Sequence, residues 1–127
     1  AGRPVTIAHQ QPTVMTMLEC AEPSLVAWRV LARVGDAFMT VEEEDAVAVM
    51  KRLARPLGDD PAIISGESGG AGLAGLVRAA ADRQMRTALG LDRHSRVLVI
   101  NSEGATDHGR FAELVGMAPE EVFLQTA

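Results

Sequence analysis

Short apolar runs alternate along this chain with longer stretches in which apolar residues recur every three or four positions. The runs Val5-Thr6-Ile7-Ala8, Ala37-Phe38-Met39-Thr40-Val41, Ala62-Ile63-Ile64-Ser65 and Arg96-Val97-Leu98-Val99-Ile100 are predicted strands. The last is apolar without alternation, the pattern of a strand covered on both faces in a parallel sheet. Between the strands, Leu25, Trp28, Leu31 and Ala32 carry helical spacing. Ser24 suits the N-cap of that helix, or Pro23 its first position, and Gly35 its end. Val47, Met50 and Ala54 predict the buried stripe of a second helix, which leaves Lys51 and Arg55 beside Glu44 on the outer side. Its start carries Glu42-Glu43-Glu44-Asp45, carboxylates that a helix dipole favours and that read as a helix start rather than a metal site. A third helix is predicted from about Ala71 to Leu89, stopping at Gly90, and a last one over Gly109 to Val115 before a short tail. His9-Gln10-Gln11-Pro12, the Met/Thr-rich stretch from Thr13 to Leu18, and Arg55 to Pro61 connect these elements.

Four alternations of strand and helix predict an α/β fold with three layers and a mostly parallel four-stranded sheet, as one domain over residues 1–127. In such sheets ligands bind beyond the carboxyl ends of the strands. Two polar loops follow strands, 66–70 and 101–107, and are expected to face one ligand.

Composition narrows the function classes. Aromatic residues make up 3% of the chain, tyrosine is absent and the net charge is -5, which disfavours both base stacking and phosphate-backbone binding. Nucleic acid is not an expected partner. The single cysteine, Cys20, cannot form an internal disulfide or a Cys-rich zinc module and fits a reducing compartment. No apolar run is long enough for a membrane span and no leader pattern opens the chain, so a cytoplasmic location is expected. The chain begins Ala1-Gly2-Arg3-Pro4, without methionine and almost directly in a strand-like run, as a piece of something larger would.

The candidate chemistry concentrates at Gly66-Glu67-Ser68-Gly69-Gly70. A strand turning at glycines into a helix gathers free N–H groups and a positive dipole end, where anions and reacting groups are held. The same residues read Gly66-x-Ser68-x-Gly70, the nucleophile turn of serine hydrolases, with Ser68 as nucleophile. The glycines also suit a plain tight turn with close helix packing. For a hydrolase the later histidines are poorly placed: His94 precedes a strand, and His108 directly follows Asp107. His9, His94 and His108 show no metal-ligand spacing with Cys20 or with carboxylates and are assigned to loops or solvent.

Thr13-Val14-Met15, Glu19-Cys20-Ala21-Glu22-Pro23-Ser24, Trp28, Gly66-Glu67-Ser68-Gly69 before an Ala/Leu helix, and Asn101-Ser102-Glu103-Gly104-Ala105-Thr106-Asp107 follow one another in this order. In order and spacing the chain resembles the diaminopropionate ammonia-lyases, a family of tryptophan synthase β-like pyridoxal-phosphate enzymes. The likeness runs from about Val5 to Gly116 and covers what looks like the last third of the family's length. It implies the large domain of such an enzyme, pyridoxal 5'-phosphate as cofactor, and a lyase acting on an amino acid, 2,3-diaminopropionate, to give pyruvate and ammonia.

By that resemblance Ser102 takes the position whose hydroxyl faces the pyridine nitrogen. Gly66 and Glu67 take the turn that lines one side of the cofactor, and Thr106 and Asp107 support Ser102. Ala21 stands where the family usually has glycine, Glu19 where a small residue is common, and Gly70 where alanine or valine is familiar. The family's Schiff-base lysine and glycine-rich phosphate loop belong to its earlier part and have no counterpart here. The chain's only lysine, Lys51, lies outside any matching motif. The resemblance therefore implies a carboxy-terminal fragment, inactive alone, completed by an amino-terminal part or a separate subunit. Apolar surface left uncovered by that absence implies a homo-oligomer. Two other readings stay open: the Ser68 hydrolase, and a non-catalytic small-molecule-binding or assembly domain.

Overall fold

The computed structural model describes residues 2–8 and 12–126, so His9 and the loop around it lie outside the described residues. Regular structure among the described residues is helical: α1 (Leu25–Val34), α2 (Glu43–Ala54), α3 (Ala71–Ala81), α4 (Arg83–Leu89), α5 (His108–Val115) and α6 (Pro119–Val122). Short 3-10 turns occupy Thr16–Leu18 and Phe123–Thr126.

Side-chain caps fix most of the helix starts. Ser24 Oγ accepts from the Ala27 N–H at 3.4 Å, Asp82 Oδ1 from Met85 at 2.8 Å and Asp107 Oδ1 from Arg110 at 2.9 Å. In α2 the Asp45 carboxylate reaches back to the Glu42 N–H at 3.0 Å. The helix predicted from Ala71 to Leu89 is two helices, because Asp82 leaves helical geometry and caps α4. Gly90 then closes α4 in the left-handed conformation, with φ of 64°. Gly35 instead closes α1 in extended geometry, φ -81° and ψ 109°, with its N–H donating to the Leu31 carbonyl.

The core joins α2, α5 and α6. Met50 and Ala54 of α2 pack with Ala62, Phe111, Val115 and Val122, and Phe111 is 2% exposed. Burying a phenylalanine to this extent stabilises by roughly 1.5–3 kcal/mol. The buried stripe of α2 is Ala46, Val49, Met50 and Ala54, with Val47 half-buried at its margin. Lys51 is exposed, whereas Arg55 crosses to α5, where its guanidinium donates to the Val115 carbonyl at 3.0 Å. α3 packs against α2 at Gly70, where a Cβ would stand 3.1 Å from Val49 Cγ1.

The expected three-layer α/β arrangement with a mostly parallel four-stranded sheet is not found: among the described residues no strand is paired. The four predicted segments run as irregular chain, and the backbone donors that a ladder would use go elsewhere. The Ile7 N–H donates to the Ala21 carbonyl and the Ile63 N–H to the Leu53 carbonyl in α2, both at 2.9 Å. Just beyond the third and fourth segments the Gly66 N–H donates to the Glu103 carbonyl at 2.9 Å. A parallel strand needs paired neighbours and covered faces, yet Leu98 is 87% and Ile100 73% exposed. Apolar patterning identified segments suited to a sheet interior; nothing among the described residues completes that interior around them.

Candidate functional site

The turn Gly66–Gly70 leads into α3, and the loop Asn101–Gly104 lies against it. Asn101 grips the chain before the turn: its Nδ2 donates to the Ile64 carbonyl at 3.1 Å and its Oδ1 accepts from Ser65 Oγ at 3.0 Å. Glu103 grips the turn itself. Its carbonyl accepts from the Gly66 N–H at 2.9 Å, and its Oε2 accepts from the N–H groups of Ser68 at 2.8 Å and Gly69 at 3.1 Å. These donors at the entry to α3 have no intrahelical acceptor, so a carboxylate is well matched to them in both hydrogen bonding and dipole. Glycine permits the approach. A Cβ at Gly66 would lie 2.5 Å from the Gly104 carbonyl oxygen, and one at Gly69 would run into Asn101 Oδ1 and lie 2.6 Å from the Glu103 carbonyl oxygen.

Ser102 sits between the two gripping residues, exposed, and its hydroxyl has no hydrogen-bond partner among the described residues. Gly66 is buried in the same cluster. The Glu67 side chain is 17% exposed and stands 4.0 Å from Arg110 Nε, while Arg110 also holds Glu113 at 2.9 Å. Gly66 and Ser102 thus share one hydrogen-bonded unit, and the Glu67 carboxylate belongs to the ion-pair group around α5. Asp107 caps α5, and the Thr106 N–H turns back to the Gly104 carbonyl at 2.9 Å.

Ser65, Asn101 and Glu103 organise this site without having been singled out from the sequence. Asn101 and Glu103 stand in the 101–107 segment that carries the resemblance, but only the fold brings a carboxylate from that loop to the start of α3. Elsewhere, the Glu43 carboxyl is held below its ordinary range by hydrogen bonds from the Thr13 hydroxyl and the Val14 N–H. Asp45 is likewise lowered, by the Glu42 N–H and then Arg78 at 2.6 Å, and Arg78 is raised in return. Those carboxylates serve the start of α2 and its contacts.

Residues 1–103 match the family model described as pyridoxal-phosphate dependent enzyme. The chain belongs to this family. Within it, the chain is 36% identical over 118 residues to diaminopropionate ammonia-lyase of Escherichia coli strain K12, and 29% identical over 118 residues to that of Salmonella typhimurium strain LT2. Each alignment covers 90% of this chain and 29% of the relative, so the chain spans less than a third of the length of these curated relatives. The crystal structure of the E. coli ammonia-lyase in complex with an aminoacrylate-PLP azomethine reaction intermediate matches 81% of this chain and 28% of its own, with a TM-score of 0.74 and 37% identity. The same enzyme in complex with D-serine matches 77% of this chain and 26% of its own, with a TM-score of 0.71. Family membership therefore stands beside the absent sheet: the backbone path is the family's while the strand pairing is not formed among the described residues.

Pyridoxal phosphate, the cofactor of this family, presents a phosphate and a pyridine ring. The start of α3 does not fit the phosphate, because Glu103 already takes the Ser68 and Gly69 N–H groups. Ser102 presents an exposed neutral hydroxyl with no hydrogen-bond partner among the described residues, chemistry compatible with a pyridine nitrogen. The nucleophile reading of the turn fares poorly: Ser68 is 7% exposed, and its Oγ is buried with no hydrogen-bond partner. A serine nucleophile needs a base within hydrogen-bond reach. His94 instead meets Arg93 Nε at 2.9 Å through its Nε2, and His108 pairs through Nδ1 with Glu120 at 3.0 Å.

Proposed function

We propose that this chain is one domain of a pyridoxal-phosphate lyase of the diaminopropionate ammonia-lyase kind, forming one wall of the cofactor pocket. The observation that carries the reading is the 36% identity over 118 residues to the E. coli enzyme. In this reading the chain is a carboxy-terminal part, the substrate is 2,3-diaminopropionate, and the products are pyruvate and ammonia. The cofactor, when bound, supplies the electron sink for elimination at the amino-acid substrate. Ser102 offers its hydroxyl to the pyridine nitrogen; a neutral partner there leaves the ring less protonated, which suits elimination over transamination. Gly66 and Glu67 border one side of the ring, with the Glu67 carboxylate steadied by Arg110.

The reactive lysine and the phosphate site are contributed from outside residues 1–127. Lys51 is exposed on α2 and is assigned no part in the chemistry. Exposed Leu98 and Ile100 are residues that a completing polypeptide or a further copy would cover. Among the described residues no helix is long and apolar enough to cross a membrane. The cytoplasm is the proposed location of the working enzyme.

The test is a chimera in which residues 5–116 replace the matching stretch of the E. coli ammonia-lyase. The chimera is expected to release pyruvate from 2,3-diaminopropionate, whereas the 127-residue chain with added cofactor releases none. A folded, cofactor-loaded chimera without turnover, or turnover by the chain alone, overturns the proposal.

A further inference from the structure

We infer that Asn101 and Glu103 are positioning residues for Ser102, a two-point clamp that sets where its hydroxyl is presented. The inference rests on the reading that Ser102 faces the cofactor ring.

Three consecutive residues divide the work. Asn101 is fastened to Ile64 and Ser65, on the approach to the turn, through both ends of its amide. Glu103 is fastened to Gly66, Ser68 and Gly69 through its carbonyl and one carboxylate oxygen. The residue between them is held at both peptide neighbours while its own side chain is exposed. Charge-assisted bonds from two N–H groups to one carboxylate oxygen are among the stronger hydrogen bonds a loop can make. The partner surface is cut to match, since a Cβ at Gly66 or Gly69 would collide with this loop. At the next position only the side-chain direction is open: a Cβ at Gly104 would meet nothing within 4 Å, while the Gly104 carbonyl lies against Gly66. The side-chain attachments of the clamp are thus made by Asn101 and Glu103, one on each side of Ser102. The clamp also does locally what a strand ladder would do, holding the ends of the third and fourth segments in register through side chains.

The test uses the ¹⁵N-labelled 127-residue chain without cofactor, comparing wild type with Glu103→Ala, Glu103→Gln and Asn101→Asp. Glu103→Ala is expected to speed amide exchange at Ser68 and Gly69 by roughly tenfold or more and to move the Ser102 resonance. Glu103→Gln, whose amide oxygen can accept the same two bonds, should restore both. Asn101→Asp, which loses the donor to Ile64, should move Ser102 while leaving Ser68 and Gly69 protected. Unchanged Phe111 and Val122 amides report that the core is intact. If Glu103→Ala does not fold, Glu103→Asp withdraws the carboxylate by one methylene and takes its place. A Ser102 resonance that stays put in these variants while Ser68 and Gly69 are released overturns the clamp.

A second arm places the same substitutions in the chimera of residues 5–116 with the E. coli ammonia-lyase and follows the absorption spectrum of its bound pyridoxal phosphate. The expected result is a spectrum displaced in Glu103→Ala and recovered in Glu103→Gln. An unchanged cofactor spectrum in Glu103→Ala, alongside variants of the 127-residue chain that still move Ser102, sinks the proposed role of Ser102 and supports the clamp by itself.

Discussion

Arg55, just past the end of α2, donates through Nη1 to the carbonyl of Val115, the last residue of α5, at 3.0 Å. Its Nη2 reaches the Gly116 carbonyl at 3.4 Å. Carbonyls at a helix end lack intrahelical donors, and a guanidinium fork suits two of them at once. Arg55→Met keeps the stem and removes the fork, so it should cost about 1 kcal/mol, the scale of a partly exposed charge-assisted bond. Urea unfolding checks this, and an unchanged midpoint would show that the bond contributes nothing.

The core offers a larger effect. Phe111→Ala removes the largest fully buried side chain at the junction of α2, α5 and α6, and the expected loss is about 3–5 kcal/mol. Circular dichroism during denaturation reads it directly. A variant within about 1 kcal/mol of wild type would mean that this cluster is not what holds the helices together.

Two glycines of the turn should respond very differently from a third beside them. Gly66→Ala and Gly69→Ala force a Cβ into the backbone of residues 103–104, whereas Gly104→Ala enters open space. The first two are expected to destabilise by about 1–3 kcal/mol and the third by less than about 1 kcal/mol. Equal thermal midpoints for all three would contradict the close approach of loop and turn.

Ser68→Ala removes a buried hydroxyl that has no partner. Deleting an unsatisfied polar group is neutral or stabilising, within about 1 kcal/mol. A fluorophosphonate probe should label neither protein. Labelling that vanishes in Ser68→Ala would restore the hydrolase reading.

Glu43 and Asp45 contribute to the acid limb of stability. Both carboxyls titrate lower in the folded chain than unfolded, so their contribution is complete above the ordinary carboxylate range of about 3.9–4.3 and fades as pH falls through their lowered values. Glu43→Gln and Asp45→Asn should flatten the loss of stability below about pH 4 relative to wild type. Parallel wild-type and variant curves in that range would show that these groups do not couple to folding.

Helix starts and stops were the most legible part of the sequence, because caps are local. Ser24 and Gly35 bracket α1, and Gly90 closes α4, where they were expected. Asp82 was missed because the Ala/Leu/Arg pattern continues through it and the break depends on a single side chain capping α4. The sheet was misread for the opposite reason. Runs such as Val97-Leu98-Val99-Ile100 report suitability for burial, while pairing depends on neighbours that no local pattern encodes. At the site, the 66–70 turn and the 101–107 loop were both legible as motifs. Their contact through Glu103 was not, since the two lie 34 and 35 residues apart and the donors are backbone groups.

The break at Asp82 sets the return path of the chain. An uninterrupted helix from Ala71 to Leu89 would be a rod about 28 Å long, delivering the following residues far from its own origin. Ending α3 at Ala81 and restarting as α4 instead brings Leu89, Leu91 and Val97 back to line one groove with Gly72, Gly75 and Leu76. That reversal carries the chain toward the start of α3, where Asn101 and Glu103 make their attachments. Asp82 thus acts as a folding corner, and straightening it would unmake the site from a distance without touching any residue in it.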